Sequence, residues 1–148
     1  MKYLDVKKFR LERFQANFAY SRSPFPAYIG GWGTGKTLCL IARSLMYSEM
    51  IPNNLGFIIR REFTDLQDST IRDFENYTGM KVSSKREVEF PNGSVICFRH
   101  FEELLHAGAK GHRNLQNVNL GWAGIEQAEE LETDRAFWLL FGRLRRDL

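Results

Sequence analysis

Cysteine and proline are scarce in this chain, two and four residues of 148, and it has no internal repeat, no low-complexity tract and no long apolar run. Each shortage excludes something. Cys39 and Cys97 stand singly in apolar runs, 58 positions apart, so they offer neither a disulfide framework nor the paired spacing of a metal site. A reducing, intracellular setting is expected. His100, His106 and His112 recur at intervals of six, which does not place them on one helical face, and no cysteine pair accompanies them, so no zinc site is expected. No apolar stretch approaches the roughly 18 residues of a membrane span, and the charged N-terminus lacks the apolar core of a signal peptide. The expectation is a soluble, non-secreted protein with no membrane partner. An excess of one charge is also missing, since 21 basic and 18 acidic residues leave a formal net charge of +3. That is too little to argue for nucleic acid by bulk electrostatics. The local groups Arg60, Arg61, Arg72 and Arg143, Arg145, Arg146 either touch phosphates or are solvated faces, and the solvated face is the reading for most of them. What remains is about one domain of chain, able to bury a little under ~70% of its unfolded surface.

Against these absences stands one stretch that matches a chemical pattern in full. Gly30-Gly31-Trp32-Gly33-Thr34-Gly35-Lys36-Thr37 fits the phosphate-binding P-loop G-x-x-x-x-G-K-[ST]. From background frequencies, a chain of this length matches by chance on the order of 0.5% of the time. The residue types follow from the task. Glycines let backbone N–H groups turn inward around phosphate oxygens, Lys36 reaches the β- and γ-phosphates, and the Thr37 hydroxyl ligates Mg²⁺. Pro26-Ala27-Tyr28-Ile29 reads as a short strand entering the loop and Leu38 to Tyr47 as a helix leaving it, which is the order a P-loop requires.

Elsewhere the pattern alternates helices and strands. Val6 to Tyr20 carries Phe9, Leu11, Phe14, Phe18 and Ala19 at mainly helical spacing, and Pro24 stops it. Asn53-Asn54 turns into a buried strand, Gly56 to Arg60, which completes a βαβ unit. Thr64 is a candidate cap, with Gln67 as capping-box partner, for a helix reaching Tyr77 and ended by Gly79. Glu87 to Phe90 and Ser94 to Arg99 flank Pro91-Asn92-Gly93 as a hairpin, either a local insertion or an extension of the sheet. Val118 to Ile125 reads as another buried strand, and a last helix from about Thr133 presents Phe137, Trp138, Leu140, Phe141 and Leu144 on one face.

The strand ending at Ile125 runs straight into Glu126. Ligands of open α/β sheets sit beyond the carboxyl ends of the strands, and an acid there holds the metal of P-loop nucleotidases. Glu126 is therefore a candidate metal ligand rather than a surface glutamate opening a turn. Gln127 follows, where many such ATPases carry a glutamate that activates water; glutamine positions water but is a very poor proton acceptor. Glu129 and Glu130 are either an alternative carboxylate source or helix-start acids.

Taken together and in order, these segments resemble the ATPase domain of the large terminase subunit, the DNA-packaging motor of tailed bacteriophages. Phe14-Gln15 is similar to the family's adenine-contacting glutamine region, and Gly30 to Thr37 to its Walker A loop. Ile59 to Thr70 resembles its stretch after the second strand, Gly121 to Leu131 its Walker B region, and Phe137 to Arg146 its helix ending in Arg-Leu-Arg. The fold class implied is α/β: a P-loop NTPase (RecA-like) core whose mainly parallel sheet is flanked by helices and carries a β-hairpin insertion. The implied cofactors are ATP and Mg²⁺. The implied partners are double-stranded DNA, a portal protein, a small terminase subunit and further copies of the chain in a ring, with the host cytoplasm at the procapsid portal as the location. Gln15 and the loop residues would bind nucleotide, Thr37 and Glu126 the metal, and Lys36, Glu126 and Gln127 would act in hydrolysis.

The chain also departs from that pattern. Many terminases carry arginine at the third loop position as an internal finger, whereas here it is Trp32, so the resemblance makes Arg113 a candidate for contacting nucleotide in a neighbouring subunit. The alternative for Arg113 is an exposed loop arginine; Arg143 and Arg145 are weaker candidates for coupling or DNA contact. The family's coupling segment and nuclease domain have no counterpart before Leu148, so a partial domain without nuclease activity is expected. Two other classes remain beside the motor: a nucleotide-binding assembly module with little turnover, and a small-molecule kinase, which the lack of an evident basic lid disfavours.

Overall fold

Six consecutive residues, Leu55 to Arg60, are buried on both faces, as a strand must be when helices cover both sides of its sheet. A computed structural model describes residues 10–31, 33–106, 113–116 and 118–144. The chain forms helix α1 (Arg13–Ala19), helix α2 (Lys36–Met50) and strand β1 (Leu55–Arg60). A one-turn helix α3 (Phe63–Asp65) passes through a π-helical segment (Leu66–Ile71) into α4 (Arg72–Thr78). Strands β2 (Glu87–Glu89) and β3 (Val95–His100), helix α5 (Phe101–Leu105), strand β4 (Trp122–Ile125), a 3₁₀ turn (Ala128–Glu130) and helix α6 (Arg135–Phe141) follow.

The four strands make one mixed sheet in the order β2-β3-β1-β4, with β1 parallel to both β3 and β4 and β2 antiparallel to β3. Two apolar layers sandwich it. Ile58, Ile96, Phe98 and Trp122 pack under Leu38, Ile41 and Leu45 of α2 and under Leu66, Ile71 and Phe74. On the opposite face Leu55, Phe57, Ile59, Val95 and Cys97 meet Leu104, Leu120, Ala136 and Leu140. The fold is thus α/β, a four-stranded mixed sheet flanked by helices. Among the described residues no helix is long and apolar enough to cross a membrane.

Several expected elements differ. Pro26–Ile29 forms no strand: it joins no ladder among the described residues, Ile29 is 96% exposed, and Tyr28 packs against Phe14 and Phe18 of α1 instead. The hairpin is no insertion, because β3 lies inside the sheet and carries the parallel ladder to β1. The strand expected from Val118 starts only at Trp122; Leu120 makes a single bridge to Leu144. The helix expected from Thr64 starts at Phe63, with Glu62 at the N-cap position and no side-chain capping bond, and is broken by the π turn, although Gly79 does end it in a left-handed conformation. In α6 only Ala136 and Leu140 are buried, while Phe137, Trp138 and Phe141 stand exposed, with Phe137 and Phe141 against Phe25. Arg60 is buried, not part of a solvated face.

Polar clamps tie the layers. Arg43, buried on α2, donates to the carbonyls of Phe18 (3.0 Å) and Ser21 (2.8 Å), capping the end of α1, and to the Tyr47 hydroxyl at 2.7 Å. Arg99 is 1% exposed and binds Glu87 at 2.7 Å and the Arg113 carbonyl at 2.8 Å. Burial pushes the thiols of Cys39 and Cys97 up to about 11 and about 12, so both stay protonated near neutrality.

Glu103 forks onto Arg86 and accepts from the His100 backbone N–H at 3.1 Å. Burial alone would raise its carboxyl, but the Arg86 hydrogen bonds, the His100 backbone N–H and the charges of both residues outweigh that and hold it down at about 2, from 4.5. A depressed carboxylate stabilises the fold above its unfolded pKa and loses that contribution as pH falls toward the folded value. Wild type is therefore expected to lose on the order of 2 kcal/mol more than Glu103→Gln between pH ~4.5 and pH ~2, after allowing for solvent screening. Urea unfolding of both proteins across that range checks it; parallel pH profiles would refute it.

Candidate functional site

Where the glycine-rich stretch enters α2, the chain must reverse tightly. Gly33 and Gly35 both take φ +74°, and Gly35 is the N-cap residue immediately before α2. Only glycine serves at Gly35, because left-handed backbone is strained for a side chain and a Cβ there would lie 2.2 Å from Gln15 Nε2. The loop is held from outside at one carbonyl: Gln15 Nε2 and the Tyr28 hydroxyl each donate to Thr34 O at 3.2 Å. Inside it, the Thr34 hydroxyl donates to Gly31 O at 2.8 Å and Lys36 Nζ to Gly30 O at 2.7 Å. The Lys36 ammonium therefore spans the loop from its last turn to its first residue. Trp32 lies outside the described residues.

Below the loop, strand parity decides what faces α2. Trp122 and Gly124 of β4 point to that side, Trp122 stacking on Tyr47 and a Cβ on Gly124 meeting Leu40. Glu126, two residues on, keeps the same side. Its carboxylate is buried and accepts two hydroxyl protons, from Thr37 at the start of α2 on Oε1 and from Thr70 of the π segment on Oε2. The Thr37–Glu126 contact joins residues 89 positions apart.

A cation backs this pair. Arg60, the last residue of β1, reaches Thr70 Oγ1 at 3.4 Å and forms an ion pair with Glu130 at 3.1 Å. Burial works against its charge, but the Glu130 hydrogen bond and the nearby charges of Glu126, Glu130 and Asp65 hold its pKa above the ordinary value. On α4, burial and then the charge of Glu126 raise Asp73, with Arg72 and Arg60 opposing; burial, Asp73 and Glu126 raise Tyr77.

Not every sequence candidate converges here. Gln15 is close to the loop, but both ends of its amide are engaged, since Oε1 accepts from the Glu12 backbone at 2.7 Å while Nε2 holds Thr34. Gln127 contributes through its backbone: in left-handed conformation at φ 51° it turns the chain so that Glu130 returns to Arg60. Glu129 is exposed, and Glu130 belongs to Arg60. Arg113 sits at the far edge of the sheet, paired with Glu87 of β2, about 14 Å across three strand spacings from β4. The Arg143 carbonyl accepts from Leu120 at 2.7 Å, and Arg145 lies outside the described residues. Two residues that the sequence does not single out for the site complete it, Thr70 and Arg60.

The donor set fits a Mg²⁺-bound phosphate chain. No three His, Cys, Asp or Glu side chains cluster as a metal cage among the described residues. Mg²⁺ does not require one, because it keeps waters and takes one or two protein oxygens plus phosphate. A hydroxyl whose proton is committed to Glu126 still presents lone pairs, which is what a metal would take from Thr37. Glycines in positive φ, the start of a fifteen-residue helix and a lysine ammonium supply an anion-binding end to the same site. Comparison of the chain with protein-family models, with curated proteins and with solved structures returns no match.

Proposed function

We propose that this chain is a P-loop ATPase domain of the large-terminase type, with a RecA-like core that binds ATP with Mg²⁺ at the loop between Gly30 and Thr37. The observation that carries the reading is the hydroxyl–carboxylate contact between Thr37 and Glu126, the two residues that the P-loop reading of the sequence nominates as metal ligands. Backbone N–H groups of the loop and the α2 N-terminus bind phosphate oxygens, and Lys36 exchanges the Gly30 carbonyl for the β- and γ-phosphates. Thr37 and Glu126 would hold Mg²⁺, which when bound neutralises charge on the phosphates. Gln127 orients water. In the assembled motor, hydrolysis drives double-stranded DNA into a procapsid in the host cytoplasm, in a ring of copies with portal and small-subunit partners, and Arg113 serves the neighbouring nucleotide once it leaves Glu87.

A second reading, an ATP-binding assembly module with slow turnover, is favoured by one feature. Gln127 cannot take a proton, Glu129 is exposed, and Glu130 is committed to Arg60. Calorimetric ATP titration and phosphate-release assays, each with and without Mg²⁺ and double-stranded DNA, separate the readings. The motor predicts Mg²⁺-dependent release that DNA accelerates; the module predicts binding alone. Absence of ATP binding sinks both.

A further inference from the structure

We infer that Thr70 is the positioning residue for the Glu126 carboxylate, and that the π-helical segment exists in this chain to free its hydroxyl for that work. This inference rests on the proposed Mg²⁺–ATP site. A hydroxyl inside an α-helix ordinarily bonds back to the carbonyl four residues earlier. Among the described residues three do so: Ser44 to Leu40 O at 2.7 Å, Ser48 to Ser44 O at 2.9 Å and Thr78 to Phe74 O at 2.7 Å. Thr70, 1% exposed and within Leu66–Ile71, instead donates outward to Glu126 Oε2.

The direction of that proton is set by the group behind it. Guanidinium is a donor only, so Arg60 Nη1, at 3.4 Å, leaves the single Thr70 proton to Glu126. Glu126 is then pinned at both oxygens by hydroxyls from two different elements, Thr37 of α2 and Thr70 of the π segment. Without Thr70 the carboxylate keeps one tether and turns about its terminal torsion, which is broad and roughly two-fold. Partners of this kind, behind a metal-binding carboxylate, change metal affinity about 10- to 100-fold.

The test separates metal from nucleotide. Binding of a non-hydrolysable ATP analogue is titrated in EDTA and in Mg²⁺ for wild type, Thr70→Val, Thr70→Ser and Lys36→Ala. Thr70→Val is expected to bind the analogue as wild type in EDTA but at least ~10-fold more weakly in Mg²⁺, with Thr70→Ser within about 2-fold of wild type in both. Thr70→Ala replaces the valine variant if that one fails to fold. Equal Mg²⁺-dependent affinity of Thr70→Val and wild type overturns the inference, as does an equal loss in EDTA and Mg²⁺, which marks a merely structural threonine. Absence of Lys36-dependent binding in wild type overturns the proposed function itself, and this inference with it.

Discussion

Replacing Lys36 with alanine is expected to weaken ATP binding about 100-fold and to lower any turnover by about three orders of magnitude, with the fold intact. A charge-assisted hydrogen bond is worth roughly 1.5–3 kcal/mol, and the upper end, appropriate to an ammonium over polyphosphate, is about two decades of affinity. Turnover falls further because charge on the phosphates grows in the transition state, where a preorganised cation counts most. The fold should not notice, since the Lys36 ammonium donates to a single carbonyl, Gly30 O, in a half-buried loop. Calorimetric titration gives the affinity and a thermal melt the stability. Undiminished ATP affinity in Lys36→Ala would remove the phosphate-binding role of the loop, and a lower melting temperature would make the lysine structural.

The largest effect on stability is expected at Gly56, in the middle of the sheet. Gly56 is paired with Trp122 across the parallel ladder, and a Cβ there would fall 1.8 Å from Trp122 Cε2. The indole cannot retreat cheaply. It is buried and stacks on Tyr47 at 6.3 Å, and the Tyr47 hydroxyl is held by Arg43, which itself caps α1. Overpacking costs ~1–3 kcal/mol, and alanine recovers ~0.5–1 kcal/mol of backbone entropy, so Gly56→Ala should lose about 1–2 kcal/mol and on the order of 4–8 °C in melting temperature. Trp122→Phe in the same chain should restore much of the loss through a double-mutant cycle, because the two side chains compete for one space. A Gly56→Ala protein that melts with wild type would show that the ladder spreads at no cost.

How much of this could be read from the residues differs by element. The glycine-rich turn and the helix after it were legible from the glycine spacing and the apolar run that follows, and Glu126 because it stands at the carboxyl end of a buried strand; the strand parity that turns it toward α2 is seen only in the sheet. The hairpin followed from Pro91-Asn92-Gly93, but the internal place of its second strand did not, since local turn chemistry says nothing about which strand lies beside β3. Pro26–Ile29 read as a strand on composition, yet a strand exists only against a partner, and Tyr28 found one in α1 instead. The aromatic stripe of α6 has helical spacing, but spacing does not say how much of a stripe the neighbouring layer covers. Arg60 looked like one of a surface group of arginines because its charge partner, Glu130, is 70 positions away. Thr70 carried no such signal: the buried Leu66, Thr70 and Phe74 recur at the α interval of four, and the π turn, which shows only in the folded backbone, puts buried Leu66 and Ile71 five positions apart.

That interval makes chain length, rather than side-chain identity, the sensitive variable in the stretch between β1 and α4. Gln67 and Asp68 are exposed and have wide freedom of type. Deleting either one returns the ladder to the α register and rotates the flanking residues about 100° against each other. Thr70 could not then meet Glu126 while Phe74 keeps its place beneath the sheet. A scan of single-residue deletions against substitutions across Leu66–Ile71 should therefore find tolerance to spelling and intolerance to shortening.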